Sequence, residues 1–246
     1  MSLVVRAPEN IRIAVSECDE WYDGQWAIGR GCTKISPGCV NCTAAASLID
    51  TPVAEATADG GARWTGIVEP IERQIEVTPT RWPRPLKLFV GSMTDFWHEQ
   101  YPDEFRRRVW DVVHRYTQHT FAFLTKRSKE MLTWFERIDF DLPNNAWIGV
   151  TVETDDYRWR IDHLLSIPAK VRYVQCEPLL DRVHLRRYLE GSNAVDWVIA
   201  GPEWGCTHPR PCDVRWMRQI RDDCTEAGVP FFTKHLLDGC AHRQMP

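Results

Sequence analysis

Six short runs of β-forming, almost wholly apolar residues constrain this chain more than any other feature. They are Leu86–Gly91 (LKLFVG), Phe121–Thr125 (FAFLT), Trp147–Val152 (WIGVTV), Val171–Cys176 (VRYVQC), Asp196–Gly201 (DWVIAG) and Pro230–Thr233 (PFFT). A strand with one face in water alternates apolar and polar residues, whereas a parallel strand covered on both faces reads as a nearly continuous apolar run. Helical patterns fill the gaps. After Asp103, a candidate N-cap, Phe105, Val109, Val112, Val113 and Tyr116 fall on one helical face. Further helices are predicted to start at Ser128, Asp155 and Asp213. The strand starts lie 24 to 35 residues apart, the length of a strand–helix unit. With Gln25–Gly29 as an early seventh strand, the pattern predicts an α/β fold, a closed or partial (β/α) TIM-type barrel. A doubly wound sheet stands as the second arrangement, because spacing alone does not fix strand order. Residues 1–246 read as a single domain with an irregular N-terminal segment over 1–24. Cys42–Ile49 reads as a short helix, and 51–66 as a loop or insertion.

The chain has 246 residues, 43% apolar and 26% charged, with a net charge of −4. That balance excludes a strongly basic module held to nucleic acid by charge alone, though not a local basic groove. No apolar run approaches the roughly 20 residues of a membrane span, and the N-terminus lacks a signal peptide's apolar stretch. The expectation is a soluble, cytoplasmic protein without a membrane partner. Nine cysteines, an odd number, then argue for metal or redox chemistry over a disulfide framework.

Polar chemistry gathers at the strand ends. Leu86–Gly91 runs into Ser92, Met93, Thr94 and Asp95; FAFL runs into Thr125, Lys126 and Arg127; WIGV leads to Thr151 and Glu153. The later strands lead to Gln175 and Glu177, to Glu203, and to Thr233, Lys234 and His235. In a parallel barrel these ends converge on one rim, where enzymes of this architecture place their sites. Ion pairs such as Lys126 with Glu153 or Glu177 would also serve a purely structural role.

Cys32, Cys39 and Cys42 form a C-x6-C-x2-C segment, with Pro37 and Gly38 supplying a tight turn. Three readings fit it. A [4Fe–4S] cluster held by three thiolates keeps one iron open for an exchangeable ligand. A structural zinc ion would need a fourth ligand from elsewhere. Three unrelated buried thiols would bind nothing. Cys206 and Cys212, with His208 between them, form a second group too small for a four-ligand site.

The stretches GCTKISPGCVNC, LFVGSMTDFWHE, FLTKR, WIGVTVE, CEPLL, VIAGPE and PFFTK, in that order from Trp26 to Lys234, resemble radical S-adenosylmethionine enzymes. More narrowly, they resemble a phage-associated family of small radical-SAM-like proteins with a three-cysteine motif. The resemblance implies that Cys32, Cys39 and Cys42 hold a [4Fe–4S] cluster whose open iron chelates S-adenosylmethionine. It implies reductive cleavage of the C5′–S bond to methionine and a 5′-deoxyadenosyl radical, with an electron donor such as flavodoxin or ferredoxin. Gly91, Ser92, Thr94 and Asp95 would meet the methionine ammonium, and Lys126, Glu153 and Glu177 would supply ribose, carboxylate or catalytic contacts. Six residues rather than the commoner three separate the first two cysteines. Asn41 stands where an aromatic usually precedes the third, so Trp26 or Trp97 is expected to face the adenine.

Twelve tryptophans and the basic groups Arg81 and Arg84, Arg106 to Arg108, Lys126, Arg127 and Lys129, and Arg186 and Arg187 are compatible with a nucleic-acid substrate. Most of the tryptophans are expected to pack, and most helix arginines to be solvated. With the resemblance, the reading is modification or rearrangement of a nucleobase or base adduct in phage DNA hypermodification. Two alternatives remain: a zinc-stabilised nucleic-acid- or partner-binding protein, and a barrel hydrolase using Glu153, Glu177 or Glu203.

Overall fold

A computed structural model describes residues 21–78, 82, 84–206, 208–234 and 244–246. Cys18, Arg81, His235 and Cys240 lie outside the described residues, as does most of the 1–24 segment. The described chain opens with strands β1 (Gly24–Trp26) and β2 (Gly29–Arg30). A three-residue 3-10 turn over Pro37–Cys39 precedes the short helix α1 (Thr43–Ala46). Strands β3 (Ala54–Ala56), β4 (Ala62–Trp64) and β5 (Glu69–Pro70) and helix α2 (Glu72–Val77) follow. Strand and helix then alternate: β6 (Lys87–Val90), α3 (Asp103–Arg115), β7 (Thr120–Thr125), α4 (Ser128–Phe135), β8 (Ala146–Thr151), α5 (Trp159–Leu165) and β9 (Val171–Cys176). The series ends with α6 (Arg186–Leu189), β10 (Trp197–Ala200), α7 (Val214–Ala227) and β11 (Phe231–Thr233).

Seven strands form one parallel sheet in the order β1-β6-β7-β8-β9-β10-β11. The order never reverses, which removes the doubly wound alternative, whose sheet switches direction in mid-order. The sheet curls into a half-barrel, a partial TIM-type barrel. Because all seven strands are parallel, their C-terminal ends share one rim.

Both faces are covered, as the unbroken apolar runs require. On one face Phe121, Phe123, Ile148, Val150 and Val174 join the core that takes Phe105, Val109, Trp110 and Val113 of α3. Trp110 stacks on Phe123 at 4.9 Å. On the other face Trp21, Ala122, Tyr173, Trp197, Ile199 and Phe232 form a second, aromatic cluster. Each large side chain removed from water contributes about 1.5–3 kcal/mol, so α3 is held mainly by its buried face.

Several local expectations need correction. Asp103 does not cap α3. Pro102 is the N-cap and Asp103 the first helical residue, pairing with Arg106 at 2.9 Å. Residues 51–66 contain the antiparallel pair β3–β4. The helix expected over Cys42–Ile49 stops at Ala46, and Asp155 opens a 3-10 turn before α5 begins at Trp159. Asp213 does cap α7, accepting from the Arg215 amide at 2.8 Å. Trp26 and Trp97 are both fully buried. Trp26 packs against Trp82 and Phe121, and Trp97 against Phe96 and Phe123, so neither reaches a ligand's ring. No helix among the described residues is long and apolar enough to cross a membrane.

Candidate functional site: the three-cysteine cleft

The cysteine loop lies across the C-terminal rim of the sheet, and three strand ends fasten it there. Its entry is set by Gly31. That residue bridges Thr94 in parallel fashion, its amide donates to the Met93 carbonyl at 3.1 Å, and its carbonyl accepts from Thr94 Oγ1 at 2.6 Å. Gly31 has φ +91°, and a Cβ there would sit 2.0 Å from the Ile67 carbonyl oxygen. Only glycine combines that dihedral with so close an approach.

The first fastening comes from the end of β7. The buried Arg127 guanidinium donates to Cys32 Sγ at 3.5 Å and to the Thr33 carbonyl at 3.3 Å, and its Nε donates to Glu99 at 3.1 Å. The second comes from the end of β8. Glu153, fully buried, accepts from Ser36 Oγ at 2.9 Å and from Arg160 Nη1 at 2.9 Å, with Lys126 Nζ at 3.5 Å. Its carboxylate presses on Gly38, where a Cβ would lie 2.6 Å from Glu153 Oε1. The third comes from the turn after β10. Glu203 accepts from Asn41 Nδ2 at 2.7 Å and from the Arg210 amide at 2.9 Å, while Arg210 Nη2 donates to the Pro37 carbonyl at 3.1 Å.

Cys32, Cys39 and Cys42 thereby line one cleft of 150 Å³ with Gly91, Ser92 and Lys126. Cys39 closes the 3-10 turn, its amide donating to the Ser36 carbonyl at 3.0 Å, and Cys42 is the N-cap of α1. Burial, reinforced by Asp95, pushes the Cys32 thiol up to about 12 against the opposing pull of Arg127. For Lys126, desolvation works against the ammonium, but Glu153, Cys39 and Cys42 outweigh it and hold its pKa above the ordinary value. Among the described residues no three Cys, His, Asp or Glu donors converge at the spacing of a single metal ion.

The other expected site residues divide. Ser92 and Thr94 line the cleft, but Ser92 Oγ donates to Gln25 Oε1 at 2.6 Å and Thr94 Oγ1 is engaged with Gly31. Gly91, at φ +71°, turns the chain from β6 toward the cleft. Asp95 also lines the cleft, with its carboxylate serving as a hub: it accepts from Thr125 Oγ1 at 2.7 Å, the Trp97 amide at 3.1 Å and the Lys126 amide at 3.1 Å. Glu153 sits beneath the loop, not in the cleft. Glu177 is not among the cleft residues; it pairs with Lys234 Nζ at 3.1 Å, beyond β10.

Among the described residues, nearly all the basic groups expected to face nucleic acid are engaged by partners within the protein. Arg106 donates to the carbonyls of Tyr101 and His98 at 2.8 and 2.7 Å. Arg107 pairs with Asp139, Arg108 with Glu72 and Glu76, Arg186 with Glu190 and Glu226, and Arg187 with Asp162. Cys206 and Cys212 are half-buried free thiols, the latter raised to about 11 by burial, and with His208 they form no three-ligand group among the described residues. Sequence reasoning missed Arg210 altogether, and it read Arg127 and Asn41 without the loop contacts they make. The one available signal was that Arg127 and Glu203 each fall within three residues of the end of an apolar strand.

The fold has counterparts among solved structures. Over 94% of this chain and 81% of the other, it resembles a tyrosine-to-phenylalanine mutant of spore photoproduct lyase, with a TM-score of 0.54 at 10% identity. Over 89% and 76% it resembles a cysteine-to-serine mutant of the same enzyme, with a TM-score of 0.52 at 10% identity. A third structure, spore photoproduct lyase complexed with dinucleoside spore photoproduct, gives 0.50 at 10% identity over 88% and 77%. No curated protein matches the chain in sequence. From residue 17 to residue 243 the sequence matches DUF5131, a family whose description is "protein of unknown function", and the chain belongs to that family.

Proposed function

We propose that this protein is a radical S-adenosylmethionine enzyme that acts on a nucleobase or base adduct in nucleic acid. The observation that carries this reading is the fastened C-x6-C-x2-C loop, whose three thiols line one cleft at the C-terminal rim of a parallel half-barrel. Three local thiolates suffice for a [4Fe–4S] cluster with one open iron but leave a structural zinc ion one ligand short. Cys32, Cys39 and Cys42 would therefore hold a [4Fe–4S] cluster. When bound, that group would supply the electron that cleaves S-adenosylmethionine to methionine and a 5′-deoxyadenosyl radical.

The protein's own residues supply position and charge. Arg127 holds Cys32 through a charge-assisted contact, Glu153 supports the turn carrying Cys39, and Glu203 with Asn41 fixes the approach to Cys42. Lys126, charged at neutral pH and lining the cleft, is the candidate partner for the carboxylate of S-adenosylmethionine. Gly91 and Ser92, at the end of the neighbouring strand β6, offer backbone and hydroxyl contacts to the same cleft. Asp95 acts by positioning Thr125 and Lys126. Glu177 contributes through its Lys234 pair. A flavodoxin- or ferredoxin-type donor would supply the electron. Likeness to a lyase solved with a dinucleoside photoproduct supports the nucleic-acid part of the proposal. The hydrolase alternative loses ground, because Glu153, Glu177 and Glu203 are each tied to a separate cation.

The test is anaerobic reconstitution. Wild-type protein should take up about four iron atoms per chain and form 5′-deoxyadenosine from S-adenosylmethionine with dithionite. Cys39→Ala should do neither. Colourless zinc-loaded protein that processes its nucleic-acid substrate would refute the proposal.

A further inference from the structure

Five large apolar side chains are exposed among the described residues, and four of them surround the cysteine loop. Ile35 and Val40 belong to the loop, Ile67 follows the β3–β4 pair with its carbonyl against Gly31, and Trp204 lies on the turn after β10. Most tryptophans of this protein are packed away, but Trp204 is 41% exposed. An indole two-fifths exposed beside a polar cleft keeps apolar area in contact with solvent, which makes such a residue informative.

Its placement is fixed from both sides. The preceding residue, Glu203, accepts from Asn41, and the following residue, Gly205, stands so close to α1 that a Cβ would lie 2.8 Å from Thr43 Cγ2. Asn41 and Thr43 are the two neighbours of Cys42. The indole is therefore carried on a turn bonded at one end to Asn41 and lying against Thr43 at the other, the two flanks of the third cysteine. Beneath it, Lys234 Nζ lies 5.8 Å from the ring centroid, and the same ammonium is paired with Glu177 at 3.1 Å. A cation at that distance interacts with the ring and helps set its plane.

We propose that Trp204 is a stacking platform for a base of the nucleic-acid substrate, holding it at the edge of the three-cysteine cleft. The proposal rests on the reading of the preceding subsection and names the residue that would select a flat heteroaromatic group. Indole presents a broad π-face that any base can stack on, and such contacts need no matching hydrogen bonds. Tryptophan also loses little rotamer freedom when it packs, so a platform already pinned by its neighbours costs little to order on binding.

Fluorescence anisotropy of a short labelled oligothymidylate with the reconstituted protein tests this, alongside equilibrium dialysis of S-adenosylmethionine and iron analysis. Trp204→Leu should weaken oligothymidylate binding on the order of ten- to a hundredfold, the range of one lost base–aromatic stack. Trp204→Phe should retain most of it, and both variants should keep wild-type iron content and S-adenosylmethionine affinity. Equal oligothymidylate binding by Trp204→Leu and wild type would overturn the proposal. So would a loss confined to S-adenosylmethionine, which would assign the indole to the cofactor's adenine, or a loss of iron, which would make it a support of the loop. Wild-type protein that makes 5′-deoxyadenosine but does not bind the oligothymidylate overturns the stacking role and the nucleic-acid substrate. Wild-type protein without iron or 5′-deoxyadenosine overturns the radical reading instead.

Discussion

Replacing Glu153 with alanine should unfold the apo-protein far more readily than a single strand-end substitution ordinarily would. Its carboxylate and the Arg160 guanidinium are 2.9 Å apart, and the two side chains are 0% and 1% exposed. At that separation, with an effective dielectric of about 20, the attraction is about 6 kcal/mol before desolvation is subtracted. The decisive quantity is what remains after truncation. Arg160 would keep its bond to the Thr151 carbonyl at 2.9 Å and its ring contact with Tyr157 at 4.4 Å, but it would be a buried cation without its anion. Breaking a buried pair in this way costs about 3–5 kcal/mol. Ser36 would also lose its acceptor, worth about 1 kcal/mol. Urea unfolding of Glu153→Ala, Arg160→Met and the double variant measures the coupling. The double variant should cost clearly less than the sum of the single ones, because it leaves neither charge stranded. Strict additivity, or a Glu153→Ala cost below about 1 kcal/mol, would refute the view that Glu153 fastens the loop. It would return Glu153 to the list of freely acting carboxylates.

Three further outcomes follow from the same geometry. Gly31→Ala should cost more than about 2 kcal/mol in urea unfolding and reduce iron uptake, since φ +91° and the Ile67 carbonyl both oppose a side chain there; a neutral substitution would disprove the close approach. Arg127→Met should lower iron retention during anaerobic gel filtration while far-UV circular dichroism stays native, because Cys32 Sγ loses its charged donor but Asp95 keeps its bonds from Thr125, Trp97 and Lys126; full retention would remove Arg127 from the site. Acid should weaken the fold through His119, whose pKa is held below its ordinary value by burial and whose Nδ1 accepts from the Leu86 amide at 3.1 Å. The unfolded side chain takes up a proton near pH 6.5 and the folded one only lower. Stability is therefore complete above about 6.5 and declines below it, by at most about 1.4 kcal/mol per pH unit. The urea midpoint of wild type should fall more between about pH 7.5 and about pH 5.5 than that of His119→Gln, and parallel profiles would contradict this.

How much of this was legible in the sequence depended on whether the cause was local. The six apolar runs became strands within a residue or two of the expected ends, because a segment covered on both faces carries its burial in its own composition. The β3–β4 pair escaped notice because AEA and ARW are too short and too poor in β-branched residues to announce a strand. That Cys32, Cys39 and Cys42 share one cleft was legible from their spacing, but the partners of the strand-end carboxylates were not. Whether Glu153 faces Lys126, Arg160 or a ligand is decided by strand order and by the chain that crosses the rim, neither of which is written near residue 153. The same holds for Asn41, which in sequence is a missing aromatic and in the fold is the bond to Glu203 beside Trp204.

The fastening of the cysteine loop by the ends of β7, β8 and β10 has a consequence for when the site is made. Small zinc domains remain unstructured until the ion arrives, so metal binding and folding are one event and part of the affinity goes into ordering the chain. Here the segment between Cys32 and Cys42 is held by hydrogen bonds to side chains that follow the strands of the sheet. If the proposed cluster is bound there, loading it would be a docking step onto a folded chain, and chelating it out should leave the far-UV circular dichroism native.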